Sequence, residues 1–188
     1  MQIEDYNLIM RAVSGDKQSF GYLVTKYQQY AYNLAFRIVC DDDDARDVVQ
    51  ESFIKIWKKM KQFDTSTKFS TWMYTIVTNT SIDFLRKAKR REIVSIENLE
   101  DRIHSVDSNP ETHLDNKETG QLIQLASESL SQKQKLVFAL RELQGIGTEE
   151  VGEILGLPAD SVKSNLYHAR KSIREKLQSI FKYERRTI

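Results

Sequence analysis

Val162, Leu166, Ala169, Ile173, Leu177 and Ile180 recur at three- and four-residue steps. That spacing is the apolar stripe of a helix packed along one side. Lys163, Ser164, Asn165, Tyr167, His168, Arg170, Lys171 and Arg174 fall largely on its other faces. A shorter helix precedes it, beginning near Thr148. Gly152 lies midway along this helix, where a missing side chain lets a second helix approach closely. Gly156 ends it, where a left-handed backbone costs glycine little. Pro158 pre-sets the backbone near the next helix start, and Asp160 puts a negative charge in its first turn, against the positive end of the dipole. Thr148 to Leu177 therefore reads as a helix-turn-helix, a motif whose second helix usually enters the DNA major groove.

The same periodicity runs through the rest of the chain. Ile3 to Val13 forms a short helix, closed by Ser14-Gly15-Asp16, with Asp16 as the N-cap of the next. The second helix reaches about Val39, with Phe20, Leu23, Val24, Tyr27, Ala31, Leu34, Ala35 and Ile38 at helical spacing. Asp41 to Asp44 is a run of four acids. A calcium loop starting there needs glycine sixth and glutamate twelfth, but Arg46 and Ser52 stand in those places. The acids read instead as cap and first turn of a third helix, Ala45 to Met60, with Val48, Val49, Phe53, Ile56 and Trp57 facing the core. Lys61 to Ser70 is polar with Phe63 and Phe69 embedded, and reads as a loop. A fourth helix, Thr71 to about Arg91, ends in the basic cluster Arg86, Lys87, Lys89, Arg90 and Arg91. Periodicity fades from Glu92 to Asn109. Helices are then predicted from near Glu111 to Ser129 and from about Ser131 to Leu143.

Composition narrows this to an all-α chain. No glycine occurs between Gly21 and Gly120, and tight β-hairpins want glycine or Asn-Gly turns. Net charge over the 188 residues is only +1, yet its distribution is uneven. Residues 1–93 and 119–188 each carry a net +3, and residues 94–118 a net −5. The architecture expected is two small helical domains, 1–92 and 110–188, joined by a flexible acidic linker at 93–109. Cys40 is the one cysteine, so no intramolecular disulfide forms, in keeping with a reducing compartment. No signal pattern and no apolar run of membrane-spanning length is present, so a cytoplasmic protein without membrane insertion is expected.

Catalytic motifs are missing. There is no phosphate loop, dinucleotide fingerprint or nucleophile elbow. His104, His113 and His168 are scattered and do not join Cys40 at metal-ligand spacing. A binding protein with no catalysis, cofactor or metal of its own is expected. Besides the helix-turn-helix, one stretch carries chemistry. The fourth helix combines Phe69, Trp72 and Tyr74 with Thr75, Thr78, Asn79, Thr80 and the basic end. Cations neutralise phosphates and aromatics stack on bases. The competing reading makes Trp72 plain core and the cations a cap against the helix dipole.

Two sets of residues resemble a known family. Asp44-Ala45-Arg46-Asp47-Val48-Val49-Gln50-Glu51-Ser52-Phe53, then Phe69-Ser70-Thr71-Trp72-Met73-Tyr74 and Asn79 with Asp83-Phe84-Leu85-Arg86, resemble region 2 of extracytoplasmic-function (ECF) sigma factors. Leu130 to Phe138, Glu149 to Gly156, and Val162-Lys163-Ser164 through Ala169-Arg170 resemble their region 4. The resemblance covers nearly the whole chain except the linker. It implies a protein that binds bacterial core RNA polymerase and directs promoter-specific transcription initiation. An anti-sigma factor is implied as a further partner. The alternative is a freestanding helix-turn-helix regulator, which has no need of the N-terminal half in this form.

Roles for individual residues follow from the resemblance. Asp47, Gln50 and Glu51 are placed on the face that docks to the polymerase clamp helices. Lys68, Trp72, Asn79, Arg86, Lys87 and Arg90 are placed on the minus-10 element, with Asn79 near a flipped base and Trp72 near the point of strand separation. Ser161, Lys163, Ser164, Asn165, His168, Arg170 and Lys171 are placed on the minus-35 duplex. Several positions depart from the family pattern. Ser131 stands where proline is usual, Lys135 replaces a common arginine and loses its bidentate fork, and Gly147 replaces a frequent capping serine. That last helix start is then weaker, or is capped by Thr148. Asn165 and His168 replace two arginines, and asparagine pairs naturally with adenine rather than guanine. The minus-35 sequence read by this chain is therefore its own.

Overall fold

The structure, a computed structural model, describes residues 3–97 and 129–184, with side chains described over 6–90 and 129–179. Most of the expected linker and nearly all of the helix expected from Glu111 to Ser129 lie outside the described residues, as do the side chains of Arg91 and Ile180. Within the described residues only helices and turns occur.

Four helices build the N-terminal half: α1 (Ile3–Val13), α2 (Lys17–Val39), α3 (Asp42–Lys59) and α4 (Phe69–Glu97). Their starts are fixed by side chains accepting from orphan backbone donors. Asp16 accepts from the Gln18 and Ser19 amides at 2.9 and 3.4 Å, and also holds Arg11 at 2.5 Å. Asp41 accepts from the Asp44 amide at 2.9 Å, and Asp42, Asp43 and Asp44 follow in the first turn of α3. The acid run is thus a helix cap. Cys40 separates α2 from α3 in a left-handed conformation (φ 61°), with its amide bonded to the Phe36 carbonyl. Burial pushes its thiol pKa up, so it stays protonated and structural.

Leu23, Leu34 and Ala35 of α2, Val48 and Ile56 of α3, and Met73 and Val77 of α4 are fully buried and meet at the centre of this bundle. The connection from α3 to α4 is tighter than the loop expected from Lys61 to Ser70. A 3₁₀ turn covers Met60–Gln62 and α4 already starts at Phe69. Asp64 holds the remainder by accepting from the Ser66 amide at 2.9 Å, an Asx turn. Phe63 and Phe69 anchor its two ends in the core. At its far end α4 runs on to Glu97, beyond the end near Arg91 that periodicity indicates.

In the C-terminal half, α5 (Gln132–Phe138) passes into a π-helical turn, Ala139–Leu143. Ser131 caps α5 through a reciprocal capping box with Gln134, at 3.3 and 2.9 Å. The position usual for proline is therefore filled by a residue with its own helix-starting chemistry. Then come α6 (Thr148–Leu155) and α7 (Ala159–Glu184), the two helices of the helix-turn-helix. Gly147 is the N-cap of α6 and no side chain caps it, the weaker of the two starts expected. Gly156 is left-handed (φ 64°), as its position implies. Gly152 is required for a different reason than close approach of the second helix. A Cβ there would lie 2.7 Å from the Leu157 carbonyl oxygen, so it is the turn's own backbone that needs the space.

The two halves are not apart. Helix α4 packs on α6, and α2 packs on the π turn. Buried apolar residues from Ile9 through Val77 and from Val137 through Leu166 form one continuous cluster.

Candidate nucleic-acid and polymerase interfaces

On α3, Asp47 and Gln50 are exposed and Glu51 is half-buried, three residues sharing one side of two successive turns. Glu51 pairs with Lys55 at 2.8 Å, and the hydrogen bond from that ammonium lowers the Glu51 pKa. Lys55 also donates to Thr80 Oγ1 at 3.2 Å, which ties this patch to α4. Beside Gln50 opens a largely apolar groove between α2 and α3, lined by Phe20, Val24, Val49, Phe53, Ile54 and Trp57. Periodicity assigned Val49, Phe53 and Trp57 to the core. Phe53 is buried, but Val49 and Trp57 are only half covered and Ile54 is 47% exposed. The polar patch thus has an apolar flank that the sequence reading did not include. Its signal was Ile54, an apolar residue out of phase with the core stripe.

On α4, Trp72, Asn79 and Arg86 follow at seven-residue steps, with Lys68 and Arg90 four residues outside each end. Seven residues are nearly two turns, so the set falls on one face of a straight helix. Lys68, Asn79, Arg86, Lys87 and Arg90 are exposed and Trp72 is half-buried. The Trp72 ring leans on Phe63 at 4.9 Å and Phe69 at 6.0 Å, which fixes its orientation while one edge stays open. It is neither plain core nor a free surface ring. Phe69 and Tyr74, offered by the sequence as exposable aromatics, are 2% and 8% exposed and belong to the core. Thr78 and Thr80 are buried as well, and Thr80 bonds back to the Ile76 carbonyl at 2.8 Å.

On α7, Val162, Leu166 and Ala169 are buried, which turns Lys163, Ser164, His168 and Lys171 outward. Lys163 and Lys171 make exposed ion pairs along the helix with Asp160 at 3.5 Å and Glu175 at 4.0 Å, and three further expected residues are turned onto the protein itself. The half-buried Asn165 amide donates to the Ser161 carbonyl at 2.8 Å and lies 3.3 Å from the Ser161 hydroxyl, so it is folded back on its own helix with Ser161. Arg170 turns to Glu142 of the π turn at 2.6 Å. Tyr167 was absent from the expected set, yet it is 64% exposed and meets His168 edge to face at 5.4 Å. Its signal was the four-residue step Lys163, Tyr167, Lys171, opposite the apolar stripe.

A helical bundle with a basic-ended helix, joined to a helix-turn-helix, matches known sequences in both parts. Residues 23–91 match the sigma-70 region 2 family model and residues 120–173 the sigma-70 region 4 model. The ECF RNA polymerase sigma-E factor of Salmonella typhimurium strain LT2 is 33% identical over 189 residues, spanning 96% of this chain and 98% of that protein. Among solved structures, CnrH in complex with the cytosolic domain of CnrY superposes with a TM-score of 0.69 at 22% identity, over 93% of this chain and 97% of that one. The sigma factor RpoE in complex with the anti-sigma factor NepR from Bartonella quintana gives 0.67 at 22% identity, over 86% and 98%. At that identity the two structures establish the shared fold. Fold and matched regions together define a sigma-70-type transcription initiation factor carrying regions 2 and 4. Identity along nearly the whole length makes the class narrower: the chain belongs to the ECF family of RNA polymerase sigma factors.

Proposed function

We propose that this chain is a promoter-specificity subunit of bacterial core RNA polymerase, acting in the cytoplasm and without catalysis of its own. Asp47, Gln50 and Glu51 dock to the polymerase, with the apolar groove beside Gln50 as the flank of that contact. Lys68, Trp72, Asn79, Arg86, Lys87 and Arg90 take the minus-10 strand. Trp72 is braced to hold one side of the melted junction, Asn79 is exposed to meet an unpaired base, and the cations at the end of α4 follow the phosphates. Ser161, Lys163, Ser164, Asn165, His168, Arg170 and Lys171 take the minus-35 duplex. Asn165 and Arg170 join only after leaving Ser161 and Glu142. An anti-sigma protein is the partner proposed to restrain the chain.

The observation that carries this reading is the single stripe on α4 lying next to the α3 patch through the Lys55–Thr80 contact. A polymerase-docking surface and a strand-reading surface on one rigid bundle suit a protein that opens DNA on the enzyme. A freestanding operator-binding protein has no use for that pairing. Run-off transcription with core polymerase over a genomic promoter library tests it. Specific transcripts are expected only when the chain is added. Failure to bind core enzyme, together with tight operator binding by the chain alone, would overturn it.

A further inference from the structure

We propose that Glu150 closes the free chain on itself by occupying, as an internal stand-in for a DNA phosphate, the end of α4 that reads the minus-10 strand. The inference rests on the reading above for what α4 does. Glu150 lies in the first turn of α6, whose N-cap Gly147 supplies no side chain. A carboxylate there would ordinarily stay over its own helix start. Instead it crosses to the other half of the protein. Its Oε1 accepts from the Thr71 hydroxyl at 2.5 Å and its Oε2 from the Lys68 ammonium at 3.4 Å. Thr71 is buried and the Glu150 side chain is only 23% exposed. One anionic group taking a hydroxyl and an ammonium together is the arrangement a backbone phosphate makes. It sits one residue before Trp72.

A second latch holds the same closure from α2. Arg37 donates to the Leu143 carbonyl at the end of the π turn. Leu143 is the last residue of that turn, where carbonyls run out of in-helix donors, and the neighbouring Gln144 and Ile146 amides bond to the Ala139 and Leu140 carbonyls. The guanidinium therefore meets the negative end of a helical segment, where a cation is favoured.

What the closure leaves open is as informative. Among the described residues, no hydrogen bond or ion pair from the C-terminal half reaches Asp47, Gln50 or Glu51. Lys163, Ser164, His168 and Lys171 also stay exposed. The closure engages Lys68 and covers Thr71 at the start of α4, while Asn79, Arg86, Lys87 and Arg90 stay exposed, and the two DNA readers are held at one fixed separation. The free chain can thus dock to core polymerase while closed, and single-stranded DNA takes the Lys68 ammonium and the Thr71 hydroxyl from Glu150 once α6 is displaced.

The test compares the full-length wild type with Glu150→Gln, Thr71→Val and the control Glu149→Gln, which removes the same charge from a neighbouring exposed position. Three quantities are measured: the solution scattering radius of the free chain, its affinity for a fluorescein-labelled single-stranded DNA of random sequence, and its affinity for core polymerase. Loss of a charged hydrogen bond shifts such an equilibrium by about tenfold. Glu150→Gln and Thr71→Val are expected to enlarge the radius and to tighten single-strand binding by that order, with polymerase affinity unchanged. Glu149→Gln is expected to tighten it by twofold or less. Equal gains for Glu149→Gln and Glu150→Gln, or an unchanged radius in both Glu150→Gln and Thr71→Val, would overturn the proposal. If the wild type itself fails to bind polymerase, the functional reading falls, while the scattering radius still decides the closure.

Discussion

Tyr32 shows how one side chain ties two successive helices together. It lies near the end of α2, and its hydroxyl donates to Asp42 Oδ1 in the first turn of α3. Burial and the neighbouring carboxylate both disfavour the phenolate, raising the Tyr32 pKa from 10.0 to about 12. The sign follows from linkage. The folded state holds this proton more tightly than the unfolded chain does. The contact therefore stabilises fully below pH 10, and its contribution is lost as pH rises from 10.0 to about 12. Tyr32→Phe is expected to remove that window from the pH dependence of the urea midpoint and to delete one late step from the tyrosinate absorbance titration. A midpoint whose high-pH slope is the same in wild type and variant would contradict this. No residue property marks Tyr32 beforehand, because the pairing joins positions ten apart across a turn. The same holds for Asn165: its residue type suggested adenine readout, and nothing local shows that its amide nitrogen donates to the Ser161 carbonyl in the free chain.

Elements were far more legible than their partners. Apolar steps of three and four located the helices, and short polar residues located their starts, because both signals are local. Asp16, Asp41, Gly156 and the stripe of α7 could be read this way. The π turn could not, since it depends on amides reaching five or six residues back to suit the packing of α2. Nothing in the sequence marks Glu150 for its contact, and only the fold brings Thr71 to it. Gly152 stands between these cases, visible as necessary but for a reason that needed the turn geometry. Alanine in a helix interior ordinarily gains about 1 kcal/mol over glycine. Here its Cβ would meet the Leu157 carbonyl oxygen at 2.7 Å. That oxygen cannot retreat cheaply, because the Leu157 amide is bonded to the Gly152 carbonyl at 2.9 Å and Gly156 is left-handed. Overpacking costs about 1–3 kcal/mol, so the balance is a loss. Gly152→Ala is expected to lower stability by about 1 kcal/mol in urea unfolding. A raised midpoint would show that the turn yields and that glycine is dispensable there.

At the scale of the whole molecule, two small helical domains joined by an acidic linker were expected, and the buried residues of the two form one cluster running from Ile9 to Leu166. If that continuity is energetic, the halves do not unfold separately. Opening the α4–α6 contact exposes part of the shared core and breaks the Glu150 and Arg37 latches together, so melting one half removes support from the other. Scanning calorimetry of the free chain is therefore expected to give one transition whose calorimetric and van't Hoff enthalpies agree. Glu150→Gln is expected to broaden it or split it in two. Two resolved transitions in the wild type would mean that the halves touch without coupling. The result bears on initiation, because a ligand shifts a closed–open equilibrium only by its differential affinity for the two states. A surface left uncovered in both states, such as Asp47 and Gln50, supplies little of that difference. The work of opening then falls to the contact that only the open chain can make, the minus-10 strand at the Lys68 end of α4.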